Sequence, residues 1–150
     1  MVARILVLIY LIFWGCSPSG EKIVEKRFPH TQWVFPDTLW GTFQINEPAS
    51  CKDLEVQLDL EESYPWRNLY VLAFIEAPDG FRSQSRLEFV FSDSLGRWYV
   101  SNRKFRTFVA RQISFAAVGT YRVGLLPYIR SDTVRGIRRI ALYMRSCSAE

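Results

Sequence analysis

One histidine, His30, is all that the 150 residues supply, and that scarcity removes several chemistries at once. A Ser-His-Asp or Cys-His arrangement would have to be built on it. It sits in the stretch FPHTQW, ahead of the strand-like pattern, where a lone histidine is a solvated surface group. No grouping of histidine, cysteine and carboxylates has metal-ligand spacing, and no glycine-rich loop is present to cradle phosphate. Glu61 and Glu62 are adjacent, so on an extended chain their side chains point apart, and Ser63-Tyr64-Pro65 marks them as part of a turn. No catalytic residue set, metal site or cofactor site is expected, and with them no enzyme. Long apolar runs are missing too. The run from Ile5 to Trp14 has ten residues, against about 20 for a helix that crosses the hydrocarbon core.

What is present begins with that short run. Arg4 precedes it, Gly15 follows, and Cys16 opens a polar stretch. A positive start, a short apolar segment and a small residue at the cut site describe an export signal. The segment resembles a bacterial lipoprotein signal, with Phe13 and Trp14 bulkier than the usual lipobox residues. That resemblance implies cleavage after residue 15 and acylation of Cys16, the alternative being an ordinary secretory signal with an incidental cysteine. Two or more acyl chains anchor a protein stably, where one does so marginally. Ser17 to Glu25 has no periodicity and reads as polar linker. The expected organisation is a signal peptide over 1–15, a lipid-anchored linker over 16–27 and one domain over 28–147. No acidic run follows Cys16, unlike the tag that surface-exported lipoproteins of the Bacteroidetes share, so the periplasmic side of the outer membrane is the expected location.

Removing the signal leaves roughly 130 residues, enough for one domain with its own core. The formal charge of +4 loses only Arg4 with the signal and calls for no polyanion, and nucleic acid is not an expected partner outside the cytoplasm. Of the three cysteines, Cys51 and Cys147 remain after acylation of Cys16. An oxidising compartment permits a disulfide between them, and two separate buried thiols fit the sequence equally.

From Thr38 onward the pattern has period two. In KDLEVQLDL the residues Leu54, Val56, Leu58 and Leu60 share one face, and Asp53, Glu55, Gln57 and Asp59 the other, the signature of a half-buried strand. NLYVLAFIEA is nearly all apolar, as in a central strand covered on both faces. Pro78-Asp79-Gly80 then turns the chain, because proline presets φ and glycine accepts positive φ. SRLEFVF alternates again, Ser92 to Gly96 turns, and RWYV, KFRTFVARQISF and TYRVGLL continue. In IRRIALYMRS, Ile140, Leu142 and Met144 share a face. Helical periodicity is absent after residue 20, leaving at most one helical turn around Ser131 to Val134. Seven or eight strands with regular turn signals predict an all-β fold, a single antiparallel β-sandwich of jelly-roll or Ig-like type.

Aromatics are plentiful, with Trp33, Trp40, Trp66 and Trp98 after the signal. Tryptophans of a sandwich fill the core or cap its ends; exposed, they make platforms for apolar sugar faces. Arg97, Arg103, Lys104, Arg106 and Arg111 crowd one stretch and read as a solvated face. Gathered into one patch, they would suit an anionic surface or acidic partner.

At SYPWRNLYV the residues Tyr64-Pro65 and Asn68-Leu69 resemble a segment of the gliding-motility lipoproteins called GldH. APDG is similar to that family's Pro-Asn-Gly turn, Leu87-Glu88-Phe89 to its Leu-Glu-Phe strand, and Asp93 through Gly96 and Trp98 to its Asp-x-x-Gly-x-Trp turn. Gly119-Thr120-Tyr121 and the spacing from Arg130 to Gly136-Ile137 match as well, as do Phe28-Pro29 and Trp33. The chain departs from the family at Ser85-Arg86 and at Tyr99 to Asn102. The resemblance implies a lipid-anchored envelope protein that serves gliding or the secretion system linked with it, and partners among other envelope proteins. It supplies no catalytic residues. A glycan-binding lipoprotein using exposed tryptophans beside Asp93 and Asn68 is the alternative; burial of Trp66 and Trp98 would count against it. Asp93 and Gly96 are expected to shape their turn, not to bind a ligand.

Overall fold

Ten strands form over residues 20–147, the part of the chain that the computed structural model describes. They are β1 (Glu21–Arg27), β2 (Gln32–Val34), β3 (Leu39–Ile45), β4 (Ser50–Leu60), β5 (Asn68–Glu76), β6 (Arg82–Val90), β7 (Lys104–Phe115), β8 (Gly119–Pro127), β9 (Thr133–Arg135) and β10 (Ile137–Ser146). The expected signal segment and Cys16 lie outside the described residues. No helix of the described residues is long and apolar enough to cross a membrane.

One sheet has the order β1-β10-β4-β7, the other β3-β8-β5-β6, and β2 and β9 make a ribbon beside them. All pairings are antiparallel; five are nested, and the pairings β4–β10 and β5–β8 join them into the two sheets. The first strand pairs with the tenth, the second with the ninth, the third with the eighth, the fourth with the seventh and the fifth with the sixth. The chain is one long hairpin, with Pro78-Asp79-Gly80 at its tip, rolled over itself. Of the two expected architectures this is the jelly roll, eight strands in two sheets.

Alternation dictates which faces meet. Leu54, Val56 and Leu58 of β4 and Ile140 and Leu142 of β10 are fully buried. Opposite them lie Val71 of β5 and Val123 and Leu125 of β8, also fully buried. Phe43, Phe115 and Tyr121 pack as one aromatic group at one end of this core, with ring centroids 4.8–5.7 Å apart. Leu54 to Leu60 thus face inward at every second position, as their spacing predicts.

Three expectations fail. Strand β5, expected to be covered on both faces, is buried through Leu69, Val71 and Ala73 but exposes Tyr70 on the other face, because a two-layer sandwich covers only the inner side of each sheet. Residues 21–27, expected as the end of the linker, form edge strand β1 along β10, from Glu21 opposite Met144 to Arg27 opposite Arg139. A register shift between Lys22 and Val24 lets the consecutive residues Ile23 and Val24 both pack on the core, and that bulge destroys the period-two signal. The helical turn expected around Ser131 to Val134 is likewise absent. Thr133–Arg135 is strand β9, in which Val134 sits opposite Trp33; both side chains are fully buried. Three-residue strands are too short to show a period.

Cys51 at the start of β4 and Cys147 just beyond β10 are joined by a disulfide, with their Cα atoms 5.5 Å apart. The backbone N–H of Cys147 donates to the carbonyl of Cys51. The bridge ties the last strand to its neighbour in the sheet.

Candidate functional site

The two ends of the sandwich differ. One carries the connections 46–49, 77–81 and 116–118, together with Gly20 and Cys147. The other carries the β4–β5, β6–β7 and β8–β9 connections, and there a cleft of about 810 Å³ opens. Tyr64, Trp66, Asn68, Tyr70, Arg86, Tyr128 and Arg130 line it, over a floor that includes Leu69 and Val134.

Tyr64 builds the base. Its ring is buried, its hydroxyl donates to the carbonyl of Asn68 at 2.9 Å, and burial raises its pKa well above the ordinary tyrosine value. Edge-to-face contacts join it to Trp66, Phe91 and Trp98. This aromatic cluster fixes the β4–β5 loop, so Trp66 stands on a rigid support with 43% of its surface exposed. Gly136 makes the close approach possible. Its φ is +88°, and a Cβ there would lie 3.0 Å from the Cα of Tyr64.

The walls come from strands β5 and β6 and from the β8–β9 connection. Tyr70 is on the outer face of β5, opposite Glu88 of β6, and the N–H of Tyr128 donates to the carbonyl of Tyr70. Tyr70 and Tyr128 are both exposed. Asn68 donates from its side-chain amide to Glu88. Asn68 and Tyr70, both hydrogen-bonded to Glu88, hold its carboxyl below the usual carboxylate range, while Glu88 raises the hydroxyl of Tyr70. At neutral pH the rim therefore presents an ionised Glu88 and a neutral Tyr70. Among the described residues Arg86 and Arg130 have no ion-pair partner, whereas Arg82 and Arg122 on the same sheet are both engaged by Glu76. The cleft thus offers aromatic faces, two unpaired guanidinium groups and the Asn68 amide. Such a set suits binding through aromatic faces and charge-assisted hydrogen bonds. Among the described residues no group of histidine, cysteine and carboxylates could hold a metal.

The expected motif residues divide between the two ends. Tyr64, Pro65, Asn68, Trp98 and Gly136 gather around the cleft end, with Asp93 and Gly96 in the adjoining turn. There Asp93 Oδ1 accepts from the backbone N–H groups of Leu95 and Arg97, both at 2.9 Å, and Oδ2 accepts from the Arg97 guanidinium at 2.7 Å. Every oxygen of Asp93 is used inside its own turn, and these bonds, led by the Arg97 backbone, depress its pKa. Gly119 and Tyr121 lie at the opposite end, where the Tyr121 hydroxyl donates to the carbonyl of Ala117 at 2.9 Å.

Trp98 does not join Trp66 as a platform. One face is covered by the Arg103 guanidinium, 3.3 Å from the ring centroid, and Phe91 and Phe105 pack around the rest. Nor do the crowded basic residues make one patch. Arg97 pairs with Asp93, Arg106 with Glu55, Arg103 stacks on Trp98 and Arg111 on Phe108. His30 is exposed in the turn after β1. Reading the sequence did not mark Tyr70, Arg86 and Tyr128 as site residues and singled out Arg130 only for its spacing to Gly136; the fold brings them together by setting β8, β5 and β6 side by side.

Comparison with known proteins bears on the whole domain. No curated protein matches the chain. A family model does, over residues 24–143, and its description is GldH lipoprotein.

Proposed function

Since the chain belongs to the GldH lipoprotein family, we propose that it is a non-enzymatic binding or assembly component of the gliding-motility machinery or the secretion system linked with it. Acyl chains on Cys16 hold it to the membrane, on the periplasmic side of the outer membrane. The cleft is where it engages another envelope protein. The observation that carries this reading is the cleft's composition: Trp66, Tyr70 and Tyr128 are large exposed aromatics held on a rigid floor, the residue types that dominate protein-binding surfaces. The test compares envelope proteins recovered with the lipidated wild type and with a Trp66→Ala/Tyr128→Ala double variant. Recovery of a partner that the double variant loses is the expected result; identical sets from both would refute the role of the cleft. Changing Cys16→Ser should release the protein from membranes or leave it unprocessed, and mature, membrane-bound protein with an unmodified thiol would refute the anchor.

A second reading is a glycan-binding lipoprotein. Trp66 with Tyr128 favours it, since exposed rings can cover the apolar face of a sugar; the covered face of Trp98 removes the other tryptophan. Retention of the unlipidated domain on purified envelope polysaccharide, lost in Trp66→Ala, would select this reading over the first.

A further inference from the structure

The end of the jelly roll opposite the cleft has its own character. Gly20 leads into β1 there, because Glu21 is opposite Met144 at the far end of β10. Ser146 pairs with Lys52, Ser50 with Phe115, and Ile45 with Gly119, so the 46–49 and 116–118 connections share this end. Pro78 touches Gly119, which adds the 77–81 hairpin. Phe81 on that hairpin is 68% exposed and Val118 52% exposed. Around them the loops supply Pro48, Ala49, Pro78, Ala116 and Ala117. The charged residues at this end, Glu21, Glu47, Glu76 and Asp79 against Lys22, Lys52, Arg82 and Arg122, leave no strong field of either sign.

Cys16 is four residues from Gly20, at most about 14 Å of fully extended chain. Strands of nine to eleven residues make the sandwich about 30 Å long or more. The far end also exposes Leu95 and Tyr99, but it lies beyond the reach of so short a tether when the near end faces the bilayer.

We propose that the end bearing Gly20 seats on the phospholipid surface, with Phe81 and Val118 as its apolar contacts, so that the aromatic cleft points away from the membrane. This rests on the acylation of Cys16. The surface of sheet β1-β10-β4-β7 is a poorer seat, because its outward face is a network of ion pairs among Glu25, Asp59, Arg139, Glu55, Arg106 and Arg145. Apolar loop tips enter the interfacial region without stripping charges of water.

The test uses the lipidated protein in vesicles of phosphatidylethanolamine with a minor fraction of phosphatidylglycerol. With Cys16 acylated and Cys51 bonded to Cys147, a cysteine introduced by Phe81→Cys, Val118→Cys or Leu95→Cys takes a nitroxide label alone. Labels at 81 and 118 should collide more with dissolved oxygen than with a water-soluble nickel complex, and the label at 95 should show the reverse. Two near-end positions guard against one variant folding poorly. Labels at 81 and 118 as aqueous as the one at 95, or all three equally shielded as for a molecule lying on its side, would overturn the proposal. Flotation with the vesicles is scored first. Protein that does not float shows that the anchor itself is absent and removes the proposal with its premise, a result separate from floating protein with aqueous labels.

Discussion

Gly96 and Gly136 both hold positive φ, +77° and +88°, yet only one is crowded. Nothing lies within 4 Å of a Cβ added at Gly96, so a substitution there meets only the backbone strain of the left-handed region. Gly96→Val should cost about 1–2 kcal/mol. At Gly136 the added Cβ would also press on the backbone of Tyr64, which cannot rotate away. Gly136→Ala should therefore destabilise the domain more than Gly96→Ala, as urea denaturation of the two variants will measure; equal midpoints would show that the Tyr64 contact relaxes freely. Turn residues of this kind were legible from sequence because their chemistry is local: Pro78-Asp79-Gly80 and Asp93 to Gly96 turn where their residue types say. Tyr70 and Tyr128 were not, since nothing within a few residues of either marks it as part of a cleft.

At the scale of elements, β1 shows what defeats pattern reading. Its bulge and its charged flanks conceal a strand whose attachment is partly electrostatic. Arg139, the principal cause, and Lys22 both donate to Glu25 and lower its pKa from the ordinary glutamate value to about 2. A carboxyl whose folded pKa is depressed contributes stability that is fully present above its unfolded value and is lost as pH falls toward the folded one. Hydrogen exchange of β1 amides should thus be slow at pH 5 and accelerate relative to the core as pH falls from about 4.5 toward 2. A Glu25 carboxyl titrating near its ordinary value in an NMR pH series would contradict this. The strands β4 and β10 were legible because Leu54, Val56, Leu58 and Leu60, and Ile140, Leu142 and Met144, alternate over enough positions to outweigh the register shifts near their ends. Their disulfide was legible only as one of two states; the fold decides it by making them neighbours. The cysteines are 96 residues apart in sequence, for which loop-closure entropy gives about 4–5 kcal/mol. Reduction should lower the melting temperature of the unlipidated domain, whereas two reactive thiols in the denatured, unreduced protein would show that no bridge forms.

At the scale of the whole molecule, nesting explains the division of labour between the ends. The five nested pairings fold around the single tip at Pro78-Asp79-Gly80, so the first and last strands, β1 and β10, lie beside each other. This places Gly20 and the disulfide at one end and leaves the longer connections, with Tyr64, Trp66, Trp98 and Tyr128, at the other. The all-β class followed from alternation alone, but choosing the jelly roll required the strand order, which short-range pattern does not contain. Trp66→Ala should leave stability nearly unchanged, since this side chain is 43% exposed, and should abolish partner capture. A Trp66 variant that unfolds at markedly lower denaturant would instead make the residue a structural cap of Tyr64.

The claim that the cleft is the working surface of a membrane-held binding protein is tested most directly by photo-crosslinking in intact envelopes. A photoreactive residue at position 128, in the cleft, is compared with one at position 44, on β3 away from it. A discrete protein adduct is expected from position 128 and none from 44. The same adducts from both positions, none from either, or a polysaccharide adduct from 128 would contradict that claim.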